Sequence, residues 1–332
     1  MLDGGSALWL ADGPRPELPA DIGAVVKTSG STGAPRHVML SRDALAAAAQ
    51  ASAQRLGHID VWHLSLPRRY VAGLMVQVRA HLGGGTVAEV ASDLTDLRPG
   101  PGSNAISVVP TQLHRGLQHP EVTGALAGMT AILVGGAALS PQLRQRATAA
   151  GLPVIETYGM SETCGGVVWD GQPLPGVNIE LVADPRAPQG SGRIQLATRT
   201  AFAGYLGDEA ATAQVLHPGG VLTQDWGRLT GGRLDVGGRL DDVVITGGIN
   251  VDLAQVRAAV TELDPNAAVI AVPDDEWGQR IVLVSELHEL SWWRDRLPLP
   301  RPALPRQRVA AKVPYGPNGK PDHRRLLSLV QS

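Results

Sequence analysis

The sequence predicts an α/β protein, with a large N-terminal domain of mixed and parallel sheets, helices and a β-rich part, then a small α+β C-terminal domain. Three observations carry this expectation. Strand-like and helical stretches alternate from Ala105 to Gly159, a period-two alternation takes over after Gly176, and the polar bend Gly238-Arg239-Leu240-Asp241-Asp242 precedes a tail with its own strand and helix pattern. Alternating strands and helices favour a parallel sheet, whereas period-two alternation marks antiparallel strands covered on one face.

Ile22 to Val26 and His37 to Leu40 read as the strands of a hairpin around the loop Thr28-Ser29-Gly30-Ser31-Thr32-Gly33-Ala34-Pro35-Arg36. An alanine-rich helix led by Ser41 is expected from about Asp43 to Leu56, and Leu74 to Leu82 is an apolar stretch with a helical face. Ile106 to Val109, Ala131 to Val134 and Pro153 to Thr157 read as strands, separated by helices over Pro110 to Leu117 and Pro141 to Ala150. The second of these helices has Ser140 as N-cap, Pro141 at its first position and Gly151 beyond its end. Asn178 to Leu196 and Val221 to Ile245 alternate as antiparallel strands. In the tail, Val251 to Glu262 predicts a helix, Ala268 to Val272 and Ile281 to Val284 two strands, Trp292 to Leu297 a short helix, and Pro298 to Pro305 a linker. The expected domains are residues 1–239 and 240–332.

At 332 residues the chain has ample length for a core, and its formal charge of -2 gives no general basic field for nucleic acid or anionic membrane. One cysteine excludes an internal disulfide framework and fits a reducing compartment. Met1 to Leu10 lacks a basic start and a long apolar core, and no later apolar run reaches the ~20 residues of a membrane span, so a cytoplasmic protein is expected. Monomer or homodimer stays open.

Hydroxyls interleaved with glycines in the Thr28–Arg36 loop can wrap backbone N–H groups around a polyphosphate. The same residues also suit an ordinary turn. A Walker loop needs Gly-Lys-Ser/Thr opening a helix, whereas Gly33 is followed by Ala34-Pro35-Arg36 and a strand, which argues against that fold. The second signal is Glu156-Thr157-Tyr158-Gly159-Met160-Ser161-Glu162-Thr163-Cys164-Gly165-Gly166, which gathers an aromatic ring, hydroxyls and a carboxylate in a glycine-flanked bend. It fails as a nucleophile elbow, because Thr163 stands where G-x-S-x-G needs its second glycine.

Those two segments, with Thr223-Gln224-Asp225-Trp226-Gly227, Gly238–Asp242 and Pro317-Asn318-Gly319-Lys320-Pro321-Asp322, resemble the ordered motifs of the adenylate-forming acyl-CoA synthetase superfamily. Val108–Leu113, Ser161–Gly166 and Asp170-Gly171-Gln172-Pro173-Leu174 resemble most the o-succinylbenzoate-CoA ligases of menaquinone biosynthesis. Only 27 residues precede Thr28, fewer than the superfamily usually carries, so a reduced first subdomain completed around Trp62 to Val90 is expected.

The resemblance implies ATP, Mg2+ and coenzyme A as cofactor and co-substrates, and a two-step reaction through an acyl adenylate. Ser29, Ser31 and Thr32, with Thr28 and the amides of Gly30 and Gly33, would hold the β- and γ-phosphates beside Arg36. The superfamily usually has Lys-Gly where Arg36-His37 stands. Glu162 is the candidate for Mg2+, since such an ion takes one or two protein carboxylates and keeps its waters; a capping glutamate is its plainer reading. Tyr158 would stack on adenine, Ser161 or Thr163 would meet the α-phosphate, and Gly135-Gly136-Ala137 would let the base approach the backbone, with Thr157, Gly159 and Met160 completing the bend. Asp225 and Arg239 would bind the ribose, Asp241 matches the family hinge, Gly247, Gly248 and Asn250 would border the coenzyme A route, and Lys320 would serve the reacting phosphate. Lys320 is one of three lysines in a chain that otherwise uses arginine. For the acid, Arg79 is the first candidate to meet a second carboxylate, backed by Tyr70, Gln112, His114, Gly165 and Gly166. Arg79 could equally snorkel to water. A ligase for another acid, or a catalytically weakened nucleotide-binding homologue, are the rival readings.

Overall fold

In the computed structural model, which describes residues 5–28, 36–315 and 321–331, the chain is a mixed α/β protein. Its contacts divide it into two compact units, one comprising 1–180, 195–223 and 229–235 and the other 181–194, 224–228 and 236–332.

The first unit opens with β1 (Leu8–Leu10), β2 (Ile22–Lys27) and β3 (His37–Ser41). β2 and β3 form the expected antiparallel hairpin, pairing Lys27 with His37, and β1 lies parallel to β2. Helix α1 (Arg42–Leu56) follows without a break because Ser41 Oγ accepts the Ala44 N–H at 3.1 Å, an N-cap that satisfies one orphan donor. The segment the sequence left as the remainder of a subdomain holds β4 (Val61–Leu64), α2 (Val71–Gly83) and β5 (Thr86–Glu89).

β6 (Asn104–Val108) leads to α3 (Pro110–Gly116), then α4 (Pro120–Ala127), β7 (Ala131–Val134), α5 (Pro141–Ala149), β8 (Val154–Met160), β9 (Gly165–Trp169) and β10 (Gln172–Pro173). The resulting sheet has the order β10-β9-β8-β7-β6-β4-β5. Its strands from β5 to β8 are parallel, and β9 turns back antiparallel on β8. Every residue of β6 and β7 is buried, as expected of parallel strands covered on both faces. Ser140 Oγ caps α5 by accepting the Leu143 N–H at 3.2 Å, with Pro141 next to it, as its sequence signature predicts. Helix α4 and strands β4 and β5 were not separately foreseen.

β11 (Val177–Val182), β12 (Gly192–Thr198), β13 (Gly204–Tyr205), α6 (Glu209–Val215), β14 (Leu216–His217), β15 (Gly220–Thr230) and β16 (Arg233–Arg239) complete the β-rich stretch. Four of them form a sheet in the order β11-β12-β15-β14, with β16 on β15. The short β13 instead joins the first sheet on β3.

The second unit contains β17 (Val243–Thr246), β18 (Ile249–Asp252), α7 (Leu253–Leu263), β19 (Ala268–Asp274), β20 (Gly278–Val284), α8 (Leu290–Arg296), β21 (Gln307–Val309) and α9 (His323–Gln331). Its sheet order is β18-β17-β20-β19, with β21 parallel to β20. The stretch Pro298 to Pro305 corrects the expectation of a linker. Leu299, Ala303 and Leu304 pack with Trp293 and Leu297 against the core, because the three apolar side chains between the prolines face inward.

Trp293 is fully buried, and its indole N–H donates to the Leu287 carbonyl at 3.1 Å. Trp293→Ala should cost about 3–5 kcal/mol by deleting this volume from the core. A fall in the urea midpoint of unfolding, read by far-ultraviolet circular dichroism, checks it.

Candidate active site

Within the first unit, Thr28 and Arg36 close the base of the hydroxyl–glycine loop. The Thr28 N–H donates to the Arg36 carbonyl at 2.9 Å, and the Arg36 N–H donates to Thr28 Oγ1 at 3.2 Å. Ser29, Gly30, Ser31, Thr32 and Gly33 lie outside the described residues. The Arg36 guanidinium sits 5.2 Å from the centroid of the Tyr205 ring and 3.7 Å from Asp208. Tyr205 in turn donates its hydroxyl to Glu162 Oε1 at 2.6 Å. Burial, and then the Glu162 charge, push the phenol upward from its ordinary range, so it remains a donor. Tyr205 was missed at the sequence level; its signal was its rarity, as one of four tyrosines.

Strand β8 delivers Thr157, Tyr158, Gly159 and Met160 to the end of the parallel sheet, where open α/β sheets bind their ligands. Close packing explains the glycines around them. A Cβ on Gly135 would stand 2.5 Å from Thr157 Oγ1, one on Gly166 2.8 Å from Thr157 Cβ, and one on Gly159 2.0 Å from the Gly165 carbonyl oxygen. Gly136 needs its left-handed backbone, at φ +79°, and Ala137 beside it is exposed. The 3-10 turn Ser161–Thr163 then reverses the chain. Thr163 is fully buried, and its hydroxyl donates to the Gly165 carbonyl at 2.8 Å and accepts the Met160 N–H at 3.0 Å, so it stabilises the turn. Ser161 is half-buried.

Glu162 offers one carboxylate. Its Oε1 is taken by Tyr205, and Oε2 has no partner among the described residues. Among those residues no cluster of three or more His, Cys, Asp or Glu side chains forms a cage. One carboxylate oxygen fits a Mg2+ ion held mainly by waters and substrate phosphates.

The residues considered for the acid occupy different surroundings. Arg79 is buried in α2, donates from Nε to Ser52 Oγ at 3.0 Å and lies 5.6 Å from the Trp62 ring centroid. Desolvation pulls it down to about 10. The structure gives it no ion pair among the described residues. It lines a cavity of about 310 Å³ with Ala49, Ala53, Leu56 and Trp62. Arg79 therefore does not snorkel into open solvent. Gln112 caps α3 through the Val109 N–H at 3.0 Å and donates to the Ser92 carbonyl at 2.9 Å. His114 is exposed, within 3.1 Å of Gln118 and 3.5 Å of Arg146, and Tyr70 is exposed beside Arg69. Ser52 and Trp62, which hold Arg79, carried no sequence signal beyond their place on predicted apolar segments.

In the second unit, Arg239 forms a two-pronged pair with Asp241, with both N–O distances 2.7 Å, and reaches Asp225 at 3.5 Å. Asp241, then the other nearby carboxylates, hold the guanidinium above its ordinary range. Gly247 and Gly248, at φ +59° and +77°, form the turn between β17 and β18, which demands a left-handed backbone at both positions. Asn250 donates to the carbonyls of Pro185 and Arg186 at 3.2 and 3.3 Å. Lys320 lies outside the described residues.

A hydroxyl–glycine loop on a strand hairpin and a carboxylate-bearing turn at the end of a parallel sheet define a nucleotide-binding enzyme of the adenylating kind. Residues 5–206 match the AMP-binding enzyme family, and the chain belongs to it. It is 38% identical over 280 residues to a probable 2-succinylbenzoate–CoA ligase of Mycobacterium tuberculosis (strain CDC 1551 / Oshkosh), covering 80% of this chain and 71% of that one. A 2-succinylbenzoate–CoA ligase of Enterococcus faecalis (strain ATCC 700802 / V583) is 30% identical over 283 residues, covering 77% of this chain and 58% of the relative. Among solved structures, o-succinylbenzoate CoA synthetase (MenE) from Bacillus subtilis, in complex with the acyl-adenylate intermediate OSB-AMP, superposes with a TM-score of 0.80 at 25% identity, covering 92% of this chain and 69% of that one. ATP-bound MatB from Rhodopseudomonas palustris gives 0.78 at 25% identity, covering 94% and 69%. No helix among the described residues is long and apolar enough to cross a membrane.

Cys164, left-handed at φ 53°, is buried, and desolvation pushes its thiol up to about 12. Only the thiolate reacts. At pH 8.5 the native protein should therefore resist iodoacetamide and become labelled on unfolding in urea; mass spectrometry with and without urea checks it.

Proposed function

We propose that the chain is an ATP- and Mg2+-dependent acid–thiol ligase that converts 2-succinylbenzoate to o-succinylbenzoyl-CoA through an acyl adenylate, a step of menaquinone biosynthesis. The observation that carries the choice of acid is Arg79, a buried guanidinium without a carboxylate partner among the described residues, against an apolar wall. An uncompensated buried charge is costly. The non-reacting carboxylate of a succinylbenzoate would supply the missing partner, and the ring would meet apolar surface. The names of the relatives agree with this acid.

In the first half-reaction a carboxylate oxygen attacks the α-phosphorus of ATP, and the bond to pyrophosphate breaks. In the second, the coenzyme A sulfur attacks the acyl carbon, its proton leaves and AMP departs. Thr28, Ser29, Ser31, Thr32 and Arg36 hold the β- and γ-phosphates, Tyr158 packs on adenine, Ser161 meets the α-phosphate, and Asp225 and Arg239 bind the ribose. Mg2+ at Glu162, when bound, offsets phosphate charge. Lys320 donates to the charge that develops during adenylation. Residues 1–239 and 240–332 act as two domains about Asp241, and Gly247, Gly248 and Asn250 border the path of the coenzyme A arm in the second step. A cytoplasmic setting belongs to this reading, because ATP and coenzyme A are drawn from that pool.

ATP–pyrophosphate exchange over a panel of acids tests the function, with 2-succinylbenzoate expected to lead. Binding of ATP with no exchange for any acid would instead leave a nucleotide-binding homologue. Arg79→Ala should lower kcat/KM for 2-succinylbenzoate roughly 10²- to 5 × 10³-fold, equivalent to about 3–5 kcal/mol, the cost of leaving a desolvated carboxylate unpaired. Benzoate, which lacks the second acid, should be used poorly by both proteins. Equal use of benzoate and succinylbenzoate by wild type, with Arg79→Ala harmless, rejects this acid.

Lys320→Ala should slow adenylate formation on the order of 10²- to 10³-fold, as removal of one preorganised donor does. Coenzyme A transfer from supplied acyl adenylate should be nearly unchanged. Equal loss in both isolated half-reactions would make Lys320 a general stabiliser of its domain.

A further inference from the structure

Glu162 is supported by a residue that the two half-reactions leave unused. Tyr205 is about 5% exposed, yet its hydroxyl has a charged acceptor, Glu162 Oε1, at 2.6 Å. Three contacts fix it. β13 pairs with β3 so that Tyr205 stands opposite Val38; the Tyr205 N–H donates to Thr212 Oγ1 at 2.8 Å; and the ring packs edge-on against Phe202 at 4.9 Å between centroids. Phe202 also donates its backbone N–H to the Glu162 carbonyl at 2.9 Å, so both the main chain and the side chain of Glu162 are tied to the Phe202–Tyr205 segment. On the ring itself rests the guanidinium of Arg36, the last residue of the hydroxyl–glycine loop.

A surface glutamate rotates freely about its side-chain bonds, at a cost in entropy whenever it must hold a ligand. A phenol bonded to one carboxylate oxygen removes that freedom and selects which oxygen remains as acceptor. We infer that Tyr205 is a positioning residue: it occupies Glu162 Oε1, turns Oε2 toward the cation that accompanies the triphosphate, and holds Arg36 beside the same charge through its ring. The inference rests on the reading of Glu162 as the cation's carboxylate. It explains why a polar side chain is buried where the core around it consists of Val38, Phe202 and Ala211. A phenylalanine would fill the same volume, so packing alone does not require the hydroxyl.

Mn2+ serves as the probe, because its free concentration is read by electron paramagnetic resonance in the presence of a non-hydrolysable ATP analogue, without turnover. AMP binding measured without metal is the control. Tyr205→Phe retains the ring on which Arg36 rests, and should weaken binding of the Mn2+–nucleotide about 10- to 10²-fold, the loss expected for one hydrogen bond to a charged group. Its AMP affinity and thermal midpoint should match wild type. Glu162→Gln should weaken the Mn2+–nucleotide at least as much, and Tyr205→Phe should add nothing in that background, because the two act through one contact. Wild-type Mn2+–nucleotide binding by Tyr205→Phe, with Glu162→Gln weakened, would overturn the positioning role and leave Glu162 in place. Normal binding by Glu162→Gln would overturn both readings. Parallel losses of AMP affinity and thermal midpoint in Tyr205→Phe would reduce Tyr205 to a structural residue.

Discussion

The backbone contact between β8 and β9 at Gly159 and Gly165 is the constraint on which the candidate site depends. The strands approach so closely that a single methyl group at Gly159 would overlap the opposing carbonyl oxygen. Because the hairpin closes there, the 3-10 turn at Ser161–Thr163 can be only three residues long, and Thr163 has to satisfy two backbone groups from inside it. That short turn leaves Glu162 pointing away from the Thr163 hydroxyl and toward Tyr205. The same crowding continues down β8, where Thr157 fits between Gly135 and Gly166. Glycine is thus used here for clearance at Gly159, Gly135 and Gly166, and for backbone freedom at Gly165 and Gly136, whose φ values are +93° and +79°.

Two cations in the protein are handled in opposite ways. Arg239 is surrounded by Asp241, Asp225 and Asp242, which favour its charge, so its pair is a satisfied feature of the second unit. Arg79 has a hydroxyl and an indole face, and burial works against its charge. A folded protein tolerates that only where the remaining stability is ample or where a ligand restores the balance. The guanidinium suits a carboxylate better than an ammonium would, since its planar fork donates to both oxygens at once.

Much of the architecture was legible in the sequence, for identifiable reasons. Continuous apolar runs separated by capped helices announced the parallel sheet at β6, β7 and β8, and the Ser140-Pro141 pair located the start of α5 because capping is a local effect. β4 and β5 were less legible, since His63 and the exposed edge residues of β5 interrupt the pattern that marks a buried strand. His63 is nevertheless buried, bonded through its ring nitrogen to Asn104 Oδ1 at 3.0 Å across the neighbouring strand. The proline-rich stretch misled for the opposite reason: proline content signals a linker, while the leucines and alanine that anchor it are too few to show a period. Within the site, Glu162 and the loop announced themselves through composition. Tyr205 could not, because its role comes from pairing β13 with β3, more than 160 residues away in sequence, and no local pattern encodes a partner at that distance.

The pairing of β20 with β21 has a kinetic side. These strands are parallel, so they cannot be joined by a tight turn, and the chain must pass through α8 and the packed prolines before Gln307 meets Val282. The β17–β18 hairpin, by contrast, closes across two glycines. Local pairings of that kind form in microseconds, whereas pairings that first close a long loop set the pace of folding. On these grounds β21 should pair with β20 after the β17–β18 hairpin has formed. Packing of α8 and the stretch behind it is what brings Gln307 within reach of Val282.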